Sequence, residues 1–197
     1  MKELTLVIPA KDEAECLPRV LDELKNFDCK KIIIIPETDL NTRNSIKNFD
    51  CKIITQKVGS FGTALIQGIK EVETNFLCIF NADGSFDPQY LKNMYNELLN
   101  NCDFVFNSRY ENSGGSDDDT FLTLVGNKIF TFICNLLFRL NISDVLFTYV
   151  MGKTLAFKSL DLKRKDFRFC IELPVLAKFK KYKFISKPSY ERSRLTG

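Results

Sequence analysis

Five short apolar runs limit what this chain can fold into. Residues 4–8 read Leu-Thr-Leu-Val-Ile, residues 32–35 are four consecutive isoleucines, and 52–55, 76–80 and 103–107 are similar. None alternates strictly between apolar and polar, so each reads as a strand covered on both faces. Between them lie segments with helical spacing. Leu17, Val20, Leu21, Leu24 and Phe27 form one, and residues 63–72 and 88–99 form two more. Pro18 and Pro88 fall in first turns, where a missing N–H costs nothing. Strand and helix in alternation give right-handed βαβ units, hence an α/β fold with a mostly parallel central sheet flanked by helices. Such sheets bind ligands beyond the carboxyl ends of their strands. The informative residues are therefore those after each run: 9–13, 36–42, 81–85 and 108 onward.

The second half has a different rhythm. Residues 111–120 are polar and read as a loop, whereas 121–140 are strongly apolar. Asn127, Lys128, Asn135 and Arg139 interrupt that stretch, and each charge would cost about 2.5–3.5 kcal/mol at mid-bilayer. It reads as an amphipathic helix that packs on the sheet, the first expectation, or lies at a membrane surface. A strand over 152–157, a helix over 171–179 and a strand over 183–187 complete the pattern. No repeat or linker divides residues 1–197, so one domain is expected.

Composition excludes whole classes of chemistry. The chain has no His, so it holds no Ser-His-Asp or Cys-His machinery and no His-ligated zinc. Carboxylates, hydroxyls, Lys, Arg or a hard metal must carry any reaction. The seven cysteines include no CxxC pair and several lie in apolar runs, which reads as reduced thiols of a cytoplasmic protein. The first residues enter a strand at once, without the pattern of a signal peptide. A net charge of +3 does not point to nucleic acid. Residues 158–194, however, carry twelve Lys/Arg against four Asp/Glu. That imbalance suits a phosphate-bearing partner, an anionic membrane surface, or simply a solvated basic face.

Three segments carry candidate chemistry. Phe80-Asn81-Ala82-Asp83-Gly84-Ser85 offers a carboxamide, a carboxylate and a hydroxyl just beyond a buried strand. These oxygen donors suit Mg²⁺ or Mn²⁺ held together with substrate phosphates; they also suit a plain strand-ending turn. Gly59-Ser60-Phe61-Gly62 precedes a helix and can aim N–H groups at an anion or merely make a tight turn. It matches neither the dinucleotide fingerprint nor the P-loop, so a dehydrogenase is excluded. Pro9-Ala10-Lys11-Asp12-Glu13 can cap the following helix or hydrogen-bond a base or ribose.

These segments occur in order with Ala64 and Gly68 behind the glycine loop, then Ser108-Arg109-Tyr110 and Pro188-Ser189-Tyr190-Glu191-Arg192. The series spans nearly the whole chain. It resembles family-2 glycosyltransferases of the GT-A (Rossmann-like) fold, and most of all the branch of dolichyl-phosphate mannose synthase and bacterial polyprenyl-phosphate glycosyltransferases. A sugar-nucleotide pyrophosphorylase would need a glycine-rich loop after strand one, which Lys11-Asp12-Glu13-Ala14 does not supply.

The resemblance implies an inverting enzyme that moves a sugar from a UDP- or GDP-linked donor to a lipid phosphate or a glycan. Cell-envelope glycan synthesis at the cytoplasmic membrane face is the implied setting. Pro9, Ala10 and Glu13 would hold the nucleoside, with Glu37 replacing one of the family's paired aspartates after strand two. Asn81, Ala82 and Asp83 would hold the donor diphosphate, and Asn81, Asp83 and Ser85 the metal. Arg109 and Arg139 would meet an acceptor phosphate, and Arg192 and Arg194 the donor phosphates. A phosphate acceptor is already ionised, whereas a sugar hydroxyl needs a base. Asp144 and Glu172 are the base candidates; their plain alternatives are a cap or turn residue and a helix N-terminal carboxylate. Glu37 and Asn81 depart from the family pattern and leave open a GT-A nucleotide-sugar-binding module with weak or no turnover. The branch's basic or membrane-spanning extension does not follow Arg194, so peripheral membrane contact rather than stable anchoring is expected.

Overall fold

In the computed structural model, which describes residues 1–57, 59–100 and 102–195, all five apolar runs are strands. They are β1 (Leu4–Pro9), β2 (Lys30–Pro36), β3 (Lys52–Gln56), β4 (Phe76–Ile79) and β5 (Phe104–Ser108). Two further strands, β7 (Val150–Lys153) and β8 (Phe184–Pro188), complete a seven-stranded sheet. Its order is β3-β2-β1-β4-β7-β5-β8, with β7 antiparallel to both neighbours and the rest parallel. A small second sheet pairs β6 (Gly115–Ser116) with β9 (Tyr190–Glu191).

The unbroken apolar runs have the cause inferred from them. Leu6 and Ile8 of β1 and Ile33 and Ile35 of β2 join one core cluster with helices α1 (Cys16–Glu23) and α4 (Leu91–Leu99). Val7, Ile32 and Ile34 point to the other face, against α3 (Phe61–Lys70), α6 (Thr154–Ser159) and α7 (Phe169–Phe179). Gly68 of α3 lets that helix close on the sheet, since a Cβ there would lie 2.5 Å from Val7 Cγ1.

Three expectations change. The strand expected over 152–157 stops at Lys153, and Thr154–Ser159 is helical because Ala156 and Phe157 turn inward while Leu155 faces out. Four residues are too few for periodicity to separate the two states. A short helix, α2 (Leu40–Ser45), went unread; Asp39 caps it by accepting the Thr42 N–H. The third change concerns α5 (Phe121–Phe138). It does not pack on the sheet, for only Thr131 and Cys134 of its eighteen residues are buried. Three of its polar residues face the protein: Asn135 bonds both N–H and C=O of Ile142, Thr131 accepts from Val145, and Asn127 donates to Tyr110.

Candidate functional site

A cavity of about 940 Å³ opens along the carboxyl ends of β1, β2, β3, β4 and β5. That volume lies within the range of pockets that enclose drug-sized ligands. Pro9, Ala10 and Glu13 line it from β1, Glu37 from β2, and Asn81, Ala82 and Asp83 from β4. All seven residues assigned to the donor therefore meet in one space. Arg109 and Arg194 reach the same space, as does Phe61 of the glycine loop, and Gln56, Lys57 and Phe167 join them without having been picked out in the sequence. Phe61 and Phe167 stack at 5.0 Å, although 106 positions in sequence order separate helix α3 from the segment before α7, so no local signal pairs them.

The turn after β1 is held from outside itself. Asp12 takes a left-handed φ of 60°. Its N–H donates to Asp39 Oδ2 at 2.7 Å, and the Glu13 N–H donates to Thr42 Oγ1 at 2.9 Å. Burial alone would push the Asp39 carboxyl up, but hydrogen bonds from the Asp12 amide and from Thr42 outweigh it and hold the pKa below the usual carboxylate value. At Glu13 burial wins: the pKa is raised, with Asp83 adding to the rise and the Cys16 thiol and Arg194 opposing it.

The loop after β4 presents Asp83. The Ser85 N–H and hydroxyl both donate to Asp83 Oδ1, at 2.9 and 2.6 Å, and Asn81 Nδ2 donates to Ser85 Oγ at 3.1 Å. Ser85 is thus a buried positioning residue and not a cavity-facing metal ligand, which corrects that assignment. Asp83 Oδ2 stays turned to the cavity, 3.8 Å from Arg194 Nε. Gly84 makes the turn with φ +83°, and a Cβ there would sit 2.5 Å from Leu195 Cγ. The chain's last described residues run beside this loop: Arg192 N–H bonds to Ser85 O and Leu195 N–H to Asp83 O.

Arg192 itself does not line the cavity. Its guanidinium bonds the Gly84 and Phe86 carbonyls and Glu23, so it fastens the tail to the loop and does not reach a donor phosphate. Arg194 does reach in, and pairs with Asp118 at 3.1 Å.

The acceptor side holds the largest corrections. Arg109 Nε and Nη2 grip Asp144 at 2.7 and 3.1 Å, Nη1 bonds Glu191 at 3.2 Å, and Asp119 lies 3.8 Å away. Phe147 lies under the guanidinium at 4.9 Å. Burial alone would lower the Arg109 pKa, but the Asp144 bonds and the Asp144 and Glu191 charges more than reverse this. Asp144 has a fully buried side chain, bound on both oxygens, and does not line the cavity. That arrangement removes it as a general base. Glu172 is withdrawn too: its Oε2 accepts the Lys163 and Arg164 N–H groups at 2.9 and 2.8 Å and shapes that loop. Arg139 stands exposed at the C-terminal end of α5, outside the cavity lining.

The glycine loop is closed from the same segment. Thr63 N–H and Ser60 Oγ both donate to Lys165 O, so the start of α3 has part of its donor set already satisfied. Among the described residues no three His, Cys, Asp or Glu side chains cluster as a preformed metal cage. A hard cation would instead use Asp83 Oδ2 and Asn81 Oδ1 and complete its shell from diphosphate oxygens and water, the usual way Mg²⁺ binds with phosphates.

Known proteins give the same outline. The family model of glycosyl transferase family 2 matches residues 5–161. Glucosyl-3-phosphoglycerate synthase from Mycobacterium tuberculosis, solved with Mn²⁺, UDP and glucosyl-3-phosphoglycerate, superposes with a TM-score of 0.73 at 12% identity, covering 97% of this chain and 70% of that one. Mannosyl-3-phosphoglycerate synthase from Rubrobacter xylanophilus gives 0.73 at 14% identity, over 98% and 67%. S. aureus TarS 1-349 in complex with UDP-GlcNAc gives 0.60 at 13%, over 100% and 60%. At such identities the likeness is one of fold.

Proposed function

This chain belongs to glycosyl transferase family 2, and we propose that it is an inverting, metal-assisted transferase of a sugar from a UDP- or GDP-linked donor to a lipid phosphate. It is a glycosyltransferase on the GT-A fold. One observation carries the donor half of the reading: residues after β1, β2 and β4, scattered from Pro9 to Asp83, line a single cavity. Pro9, Ala10, Glu13 and Glu37 flank the nucleoside. Asn81 and Asp83 face the diphosphate, and Arg194, beside Asp83, neutralises part of its charge. A divalent ion bound by Asn81 and Asp83 would offset charge on the departing diphosphate. The solved M. tuberculosis neighbour holds Mn²⁺ with UDP, which supports the choice of metal.

The acceptor half rests on the two withdrawn carboxylates. Asp144 and Glu172 are spent on Arg109 and on the 163–164 backbone, and Glu191 is bonded to Arg109 and Ser116. The acceptor wall therefore favours a nucleophile that needs no base. A phosphate oxygen attacks the anomeric carbon from the face opposite the diphosphate; the new C–O bond forms as the old one breaks, and the configuration inverts. Leu146, Phe147 and Phe167 give that wall an apolar surface suited to a prenyl chain. This reading also favours the dolichyl- and polyprenyl-phosphate branch, with the protein at the cytoplasmic membrane face.

The test is a thermal-shift panel of UDP- and GDP-sugars with and without Mn²⁺, on the native chain and Asp83→Ala. A nucleotide at a hundred times its Kd stabilises by about 2.7 kcal/mol. The native chain is expected to shift with Mn²⁺ present and Asp83→Ala to lose most of the shift. Equal shifts for both would remove Asp83 from the donor site. Transfer to polyprenyl phosphate but not to free sugars then tests the acceptor.

A further inference from the structure

Helix α5 is built inside out. On a wheel of 3.6 residues per turn, Leu122, Ile129, Phe132, Ile133, Leu136 and Leu137 share the half that faces away from the protein. Leu122 is 80% exposed and Leu136 69%. Asn127, Thr131 and Asn135, at four-residue spacing, point inward and fasten the helix by hydrogen bonds. A helix on a water-facing surface has the opposite arrangement, and contiguous exposed apolar surface of this kind marks an interaction site. The helix is long and apolar enough to cross a bilayer. Its inward hydrogen bonds and its packing on Leu140, Ile142 and Val145 hold it flat against the domain instead.

Charge identifies what covers this face. The helix contains no acidic residue. Beyond its C-terminal end lies a cleft of about 440 Å³ lined by Leu140, Asn141, Lys178, Lys181, Tyr182, Lys183 and Phe184. Among the described residues, Arg139, Lys178, Lys181 and Lys183 form no ion pair, and only Lys183 has a carboxylate, Asp103, acting on it. Four cations, three of them with no carboxylate partner, beside an apolar stripe match anionic headgroups above an acyl layer. They would repel a second copy of the same face, which brings no carboxylate on the helix to meet them.

We infer that α5 is an in-plane membrane anchor, with its outward face in the acyl boundary of an anionic bilayer and the Arg139–Lys178–Lys181–Lys183 cluster on the headgroups. This deepens the lipid-phosphate reading above. The helix packs on the 140–148 segment, whose Leu146 and Phe147 line the cavity, so docking would bring the acceptor wall to the lipid surface.

The experiment is flotation of the full chain with phosphatidylcholine vesicles, with and without phosphatidylglycerol. The native chain is expected to float with anionic vesicles and to release as salt is raised. Ile129→Glu with Leu136→Glu changes only outward positions and is expected to weaken binding by on the order of tenfold or more. The chain lacks Trp, so Leu136→Trp supplies a clean second probe. Its emission should shift to the blue on anionic vesicles, while Leu99→Trp at the end of α4 should not respond. Native chain that stays unbound, equal flotation by the Glu variant, or a native dimer that the Glu variant dissolves would each overturn the inference. Nucleotide binding with Mn²⁺, run on the same samples, separates the two claims. Intact nucleotide binding without flotation removes only the anchor; flotation with no nucleotide binding removes only the donor assignment.

Discussion

Replacing Asp144 by Asn separates a structural carboxylate from a catalytic one. The change keeps the shape and one acceptor but removes the charge facing a guanidinium that is 10% exposed. Removing one partner of a buried pair costs about 3–5 kcal/mol. Here Glu191 at 3.2 Å and Asp119 at 3.8 Å still neutralise part of the Arg109 charge, which brings the expected loss to about 2–3 kcal/mol. For a chain of this length each kcal/mol moves Tm by about 2–4 °C, so a drop of roughly 5–10 °C is expected. Urea unfolding of Asp144→Asn, Arg109→Met and the double variant closes a cycle, and a coupling of about 1 kcal/mol or more is expected for groups in direct contact. Transfer assayed well below the variant's Tm should keep most of its kcat. A general base contributes about 10²–10⁴ in rate. An Asp144→Asn enzyme with unchanged Tm and kcat down a hundredfold would therefore refute the pairing argument and restore Asp144 as the base.

Glu172→Gln is expected to leave kcat within a few-fold, since its carboxylate serves the Lys163 and Arg164 amides and not the cavity; steady-state kinetics with saturating donor checks this. Gly84→Ala forces a side chain into φ +83° and against Leu195, with an expected cost of about 1–3 kcal/mol in urea unfolding and weaker donor binding through Asp83. Asp39 has a folded pKa below its unfolded value. Its contribution is therefore complete above the unfolded pKa and is lost as pH falls through the folded one. Urea midpoints measured from neutral pH into the acid range should fall for the native chain, and the fall should be shallower for Asp39→Asn.

The strands and the cavity rim were legible because their causes are local. Unbroken isoleucines at 32–35 mean burial on both faces, and prolines 9 and 36 mark where β1 and β2 end. A parallel sheet then places whatever follows those strands at one edge, which is why Pro9, Glu13, Glu37 and Asp83 were found together. Ser85 was misjudged because a hydroxyl two residues after a carboxylate can bind a ligand or bind that carboxylate, and the sequence is the same in both cases. Arg192 was misjudged likewise: a guanidinium near phosphate-binding motifs can equally staple a loop through its carbonyls.

What the chain determined by itself was the order of its elements and the edge on which its polar residues gather, because periodicity, proline geometry and turn chemistry act over a few residues. Only the tertiary structure decided which charges are free. Arg109 meets Asp144 and Glu191 across 35 and 82 positions, and no local pattern specifies which of several carboxylates a buried guanidinium will take. It also decided which way α5 faces. The same eighteen residues could bury their leucines on the sheet, but three inward side chains, Asn127, Thr131 and Asn135, hydrogen-bond the protein, and the apolar side is left for a neighbour.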